Sequence, residues 1–255
     1  MNFEPLNPAG ALPRKTVYGE ESAREIGLQP IHEVNALDVI DWHDMESAIN
    51  AAIAAEAMPI HYQHATWAPP GFKSNQNGLN FCWAWSLTAA TMDLRALEGK
   101  DTTILAPVSL GWLVGWKNRG YYLDDTIRGA RERGIAPAEY CGGDFNSTNR
   151  SRSTYREGWE DEALRYRLGE VWDIDTNESD RYSKQQAATV LCSGRPIYLA
   201  YDWWGHALMC AGMKWESGDV VWQIRNSHNE PDIIEMKGPK GVPDEMYGLV
   251  STILA

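Results

Sequence analysis

The chain has 255 residues, room for one domain of about 200 residues with an extension, or for two small domains. A net charge of −12 argues against general binding to nucleic acid or to an anionic membrane, which want basic patches. No run of 18 apolar residues is present to cross a bilayer, and twelve Trp and eleven Tyr against four Phe predict a core whose aromatics carry polar handles needing partners.

The N-terminus, Met1-Asn2-Phe3-Glu4-Pro5, lacks the basic and apolar regions of a secretory signal. Residues 1–40 are rich in Pro, Gly and charge and read as an extended arm with one short helix near Glu20–Ile26. From Asp44 to Ala57, the positions Met45, Ile49, Ala52, Ile53 and Ala57 fall on one helical face, with Asp41 or Asp44 near the N-cap. This divides the chain into an extension, 1–60, and a main domain, 61–255. An ordered arm must pack on something, so residues 1–58 are a candidate contact with the chain's own domain, another copy or a protein partner. His61-Tyr62-Gln63-His64 has two histidines three apart but no Cys or carboxylate cluster beside them, which favours surface or capping roles over a metal. Ala68-Pro69-Pro70-Gly71 is turn chemistry at the entry to the domain.

Gln76-Asn77-Gly78-Leu79-Asn80-Phe81-Cys82 then runs into an apolar-periodic segment. Trp83, Leu87, Ala90, Leu94 and Leu97 recur at +4, +3, +4 and +3, one face of a helix that Gly99 stops. Cys82 therefore sits at a helix N-terminus, where free N–H groups and the dipole favour an anion and lower a thiol's pKa. Asn118-Arg119-Gly120-Tyr121-Tyr122 comes further on, and Leu123, Ile127 and Ala130 give another helix ending at Gly134. Residues 142–158 are polar and aperiodic, a loop. Its sequon Asn146-Ser147-Thr148, like Asn177-Glu178-Ser179, carries no weight without a secretory signal. Tyr166–Ile174 reads as a strand, Ser179–Ser193 as a helix, and Ile197–Tyr201 as a strand. Short apolar runs at 207–212, 220–225, 233–236 and 249–254 complete a mostly antiparallel, partly barrelled sheet. Gly205-His206-Ala207 puts a histidine at the head of one strand, and Arg225-Asn226-Ser227 puts an asparagine at the end of the next. The four cysteines, Cys82, Cys141, Cys192 and Cys210, show no metal-like spacing and read as reduced thiols.

The run Gln-x5-Cys-Trp-Ala-Trp-Ser, followed in order by the His206 strand and the Arg-Asn-Ser at 225–227, resembles the papain-like cysteine peptidases over roughly residues 70–235. The resemblance implies an α+β, two-lobed fold, with the Cys helix in a helical lobe, Pro107–Val114 as that family's second helix, and His and Asn in a β lobe. It implies Cys82 as nucleophile, His206 as its partner and proton donor, Asn226 as the group that orients the histidine, and Gln76 as oxyanion donor. It places Gly120, Tyr121 and Trp83 at the substrate, although Asn118–Tyr121 also reads as an ordinary turn before a helix. The implied substrate is a peptide or protein, with no cofactor and no metal. The lack of a signal sequence and of a membrane-spanning run makes a cytoplasmic or virion-associated location the expectation.

Several residues depart from the family pattern. Asn80-Phe81 replaces the usual Gly-Ser before the cysteine, and the bulk of Phe81 is expected to narrow the cleft. Leu79 stands where secreted relatives have a disulfide cysteine, Arg119 replaces a glycine, and His228 stands where a shielding Trp is usual. The connection Asp202-Trp203-Trp204-Gly205 is short, and its tryptophans read either as a lid or as packing on the sheet. These departures support an alternative, a structural or assembly component of a virus particle or large complex that keeps the fold. An acyl transferase or amidase with the same triad is a third reading.

Overall fold

The computed structural model describes residues 28–30, 37–101, 103–115, 119–176, 179–228 and 233–253. The expected helix at Glu20–Ile26, Asn118 and Asn177 lie outside these residues. In chain order the elements are β1 (Leu28–Pro30), α1 (Met45–Ala54), α2 (Pro59–Ala65), α3 (Cys82–Leu97), α4 (Pro107–Leu113) and α5 (Leu123–Arg133). They continue with α6 (Ala138–Cys141), α7 (Trp159–Ala163), β2 (Val171–Ile174), α8 (Asp180–Cys192), β3 (Ile197–Tyr201), β4 (His206–Glu216), β5 (Asp219–Arg225), β6 (Ile234–Met236) and β7 (Glu245–Leu249).

The strands form one sheet in the order β1-β2-β7-β3-β4-β5-β6, antiparallel except for β1 beside β2. Both faces of its centre are covered. Along β3, Tyr198 and Ala200 enter one core while Ile197, Leu199 and Tyr201 enter the other. Along β4, Ala207, Met209 and Ala211 face the first core and Leu208 and Cys210 the second. This is the two-residue period of a strand buried on both sides. The first core holds α3, α4 and α5, and the second is closed by α1 and α8. Met45, Ile49 and Ala52 of α1 are buried in it, as their spacing requires. The segment before α1 is tied to α8, with the Ile40 N–H donating to Thr189 Oγ1 at 2.9 Å and Gln185 Nε2 donating to the Ile40 carbonyl at 2.9 Å.

Three differences from the sequence reading have physical causes. Every residue of α3 from Cys82 to Arg95 is buried rather than one face alone, because helices cover the sides that the sheet leaves. The strand expected over Tyr166–Ile174 begins only at Val171, since Leu164–Tyr166 turns as a 3-10 helix with the Tyr166 ring 4.5 Å from the Arg95 guanidinium. The last strand lies at Glu245–Leu249, earlier than the apolar run at 249–254. Its Gly248 obscures the pattern but lets α8 approach, since a Cβ there would meet Val190 Cγ1 at 3.0 Å.

Candidate active site

Cys82 is the first residue of α3. Phe81 at the N-cap supplies no side-chain hydrogen bond, so the first-turn N–H groups are left for another acceptor. The sulfur takes that place, drawing hydrogen bonds from the backbone of Cys82 and Trp83 and from the Ala207 N–H at 3.4 Å. Two further bonds hold α3 on the sheet. Ser86 Oγ donates to the Ala207 carbonyl at 2.9 Å, and Tyr198 Oη donates to the Trp83 carbonyl at 3.1 Å. The residue after His206 is thus fixed against the cysteine.

His206 opens β4 opposite Tyr201, across the tight turn 202–205, where Gly205 has φ +60°. Asn226 follows the end of β5. Because β4 and β5 run antiparallel, both residues lie at one end of the sheet, with His206 Nε2 2.7 Å from Asn226 Oδ1. The Ser227 N–H also donates to Asn226 Oδ1 at 2.7 Å. An oxygen that accepts from Ser227 is the carbonyl end of the amide, so His206 Nε2 carries the proton and Nδ1 is left as the basic atom.

Gln76 reaches the same end of the sheet on a loop clamped to β5's extension. Its N–H donates to the Ser227 carbonyl at 2.8 Å, and Asn75 bridges His228. Ser227 Oγ donates to Gln76 Oε1 at 2.6 Å, and Gln76 Nε2 donates to the Leu79 carbonyl. Asn77 and Gly78 both have positive φ, +49° and +74°, and the Leu79 N–H closes on the Gln76 carbonyl at 3.0 Å. This is the turn that an Asn-Gly pair favours. The resemblance implied Cys82, His206, Asn226 and Gln76, and the fold brings all four to one end of the sheet.

Burial dominates the electrostatics. Cys82 is 0%, His206 3%, Asn226 4% and Gln76 6% exposed. Burial pushes the Cys82 thiol up to about 12, and the three backbone N–H groups only partly oppose it. Burial lowers His206 to about 3, helped by the charge of His228 and opposed by the Asn226 hydrogen bond. Burial thus opposes the thiolate expected from the helix N-terminus and favours a thiol beside a neutral imidazole, against the pull of the helix-end donors.

The residues around the histidine differ from expectation. Trp204 is buried and its ring lies 4.8 Å from the His206 ring, while His228 lies 4.2 Å from it. Both cover the imidazole, so the short turn does shield the His–Asn pair. Trp203 stacks on Trp204 at 5.6 Å. Phe81, expected to narrow the cleft, is buried and stacked on Trp83 at 4.9 Å. Trp83 Nε1 donates to the carbonyls of Asn80 and Arg119, and the Tyr121 ring packs 5.1 Å from Trp83. Trp83 and Tyr121 thus pack together, but Trp83 is 0% exposed and Gly120 is buried, so of the three residues expected at the substrate Tyr121 alone is half-buried. A cavity of about 350 Å³ lies against Tyr121, between Leu113 and Val114 on one side and Arg128, Glu132 and Arg133 on the other, and none of its lining residues is Cys82, His206, Asn226 or Gln76. Among the described residues no cluster of His, Cys, Asp or Glu could hold a metal, and His61 and His64 lie half-buried on α2. Ser227 was not named as a site residue, although it was visible in the Arg-Asn-Ser run, and Asn146 was singled out only as part of a sequon.

No protein-family model matches the sequence, and no curated protein does. Solved structures match its fold. Xylellain, a cysteine protease from Xylella fastidiosa, aligns with a TM-score of 0.59 and 13% identity, covering 98% of each chain. Digestive procathepsin L 3 of the Tenebrio molitor larval midgut aligns with a TM-score of 0.53 and 14% identity, covering 74% of this chain and 68% of that one. The Amb a 11 cysteine protease, a ragweed pollen allergen in its proform, gives 0.52 and 13%, covering 83% and 75%.

Proposed function

We propose, from the papain-like fold of this chain and the Cys–His–Asn constellation set on it, that the protein is a thiol-dependent peptidase or related amide hydrolase. The observation that carries this reading is the joint placement of His206 on Asn226 at 2.7 Å and of the next backbone N–H, Ala207, on the Cys82 sulfur at 3.4 Å. With Nε2 protonated toward Asn226, His206 Nδ1 takes the Cys82 proton as the sulfur attacks an acyl carbon. Both charged forms are disfavoured in the resting site, so proton transfer accompanies formation of the S–C bond. The carbonyl oxygen becomes an oxyanion, met by the Cys82 N–H and by the Gln76 Nε2 hydrogen that Leu79 leaves free. The imidazolium then protonates the leaving amine, and the C–N bond breaks. Water, giving its proton to His206, attacks the thioester and releases the acid and the thiol. Tyr121, half-buried against the fully buried Trp83, lines the approach of the peptide.

The test is acyl-enzyme capture. Peptide p-nitrophenyl esters are mixed with the protein, and the adduct is mapped by mass spectrometry. The expected result is one acyl group on the peptide holding Cys82, absent in Cys82→Ala and in His206→Ala. Gln76→Ala should lower kcat by about 10²–10³. Acylation of another cysteine instead, or turnover that survives Cys82→Ala, would sink the proposal. No observation in the fold or among the structural relatives favours the assembly-component alternative.

A further inference from the structure

The geometry points to Asn146 as the positioning residue of the loop that carries Gln76, an inference resting on the oxyanion role proposed for Gln76. Asn146 is 70 residues further along the chain, in the polar segment 142–158, yet it treats the loop as a neighbouring strand would. Its Oδ1 accepts the Asn75 N–H at 2.8 Å, its Nδ2 donates to the Lys73 carbonyl at 2.8 Å, and its own carbonyl accepts from Asn77 Nδ2 at 3.2 Å. The first two bonds satisfy a backbone donor and a backbone acceptor that a peptide unit of a paired strand would otherwise take.

The far edge of the loop is held by Ser227 and His228, through the Gln76 N–H and the Asn75 bridge. The loop is therefore gripped on two sides, and Asn146 is the grip that comes from outside the sheet. Asn146 is itself anchored. The preceding residue, Phe145, is buried against Trp67 (5.3 Å) and Phe72 (5.9 Å), and its ring meets Trp85 of α3 at 6.4 Å. Trp85 lies one helical turn beyond Cys82, so the anchor ties the loop to the helix that bears the nucleophile. A donor aimed at an oxyanion acts only when held in place, and small displacements are costly. Freed from Asn146, the loop retains the Ser227 side but loses the support that fixes its distance from α3.

The test compares Asn146→Ala, Gln76→Ala and the double variant in the full chain, with two readouts. The first is hydrogen exchange at the Gln76 amide, which Asn146 does not touch directly. It should speed at least about tenfold in Asn146→Ala, while α8 amides stay unchanged. The second is steady-state kinetics on the peptide esters. Asn146→Ala should lower kcat by about 10–100-fold with little change in KM, and should add less than about twofold on the Gln76→Ala background. An unchanged Gln76 amide, or losses that multiply in full, overturns the inference. If Asn146→Ala does not fold, Asn146→Asp serves. It keeps the acceptor for Asn75 and loses the donor to Lys73, so both effects should be present and smaller. A wild-type protein that neither turns over the esters nor acylates Cys82 refutes the proposed function. Exchange at Gln76 then decides the clamp on its own.

Discussion

Cys82 and His206 are pushed toward their uncharged forms by the same cause, loss of water around both groups. The consequences are measurable. Alkylation of Cys82 by iodoacetamide should rise with pH above 9 toward 12, with no plateau at neutral pH, and at pH 6 Cys82 should react no faster than the half-buried Cys192. A fast acidic reaction that His206→Ala removes would show instead that an ion pair forms. The histidine has a stability signature as well. Its value falls from 6.5 to about 3 on folding, so between these limits the unfolded chain binds a proton that the folded chain refuses. The stabilisation from neutral His206 is complete above pH 6.5 and is lost as the pH falls toward 3. Denaturant midpoints at pH 7.5 and 4.5 should therefore drop more for the wild type than for His206→Gln. Equal drops would mean that the imidazole reaches water.

At the scale of elements, α1 illustrates how a periodic pattern finds its partner. Met45, Ile49 and Ala52 recur at helical spacing and are buried against the second face of the sheet beside α8. Ile49 is fully buried, so Ile49→Ala should cost about 2–5 kcal/mol in urea denaturation. A loss below about 0.5 kcal/mol, the range of surface changes, would place the helix outside the cooperative core. Several aromatic handles find partners, although the buried Trp85 Nε1 and Trp203 Nε1 have none among the described residues. Trp67 Nε1 donates to Asp93, Trp172 Nε1 to Glu170, Tyr201 Oη to the Gly241 carbonyl, and Tyr247 Oη to Glu245. These bonds let a core rich in Trp and Tyr close without stranded donors at those positions.

Over the whole molecule, one sheet serves two cores, with α3 on one side and α1 with α8 on the other. The extension that the sequence sets apart at 1–60 therefore includes, in its described part, the cover of one sheet face. Removing residues 1–58 takes away Met45, Ile49, Ala52 and Met58 together, all of them buried. The expected product aggregates or loses its cooperative thermal transition. A well-folded monomer would show that the face tolerates exposure, and a change confined to oligomeric state would point to a contact between copies.

Gln76, Cys82, His206 and Asn226 were named from a family resemblance whose motifs each sit in a local context, a turn, a helix start or a strand end, and the fold sets those contexts side by side. The helices α1, α3, α5 and α8 were legible because their periodicity acts over a few residues, while α4 was named from the resemblance. The shortened β2, the displaced β7 with its Gly248, and the full burial of α3 depend on what packs opposite, which no local window contains. The same limit hid the contacts of Asn146, whose partners at Lys73 and Asn75 are about 70 residues away, and the burial that opposes a charge on Cys82. A helix N-terminus favours a thiolate, and that preference is written in the sequence. Whether water reaches the sulfur to support the charge was decided by the tertiary structure, which closes the sheet and the neighbouring helices over it and makes desolvation the larger effect.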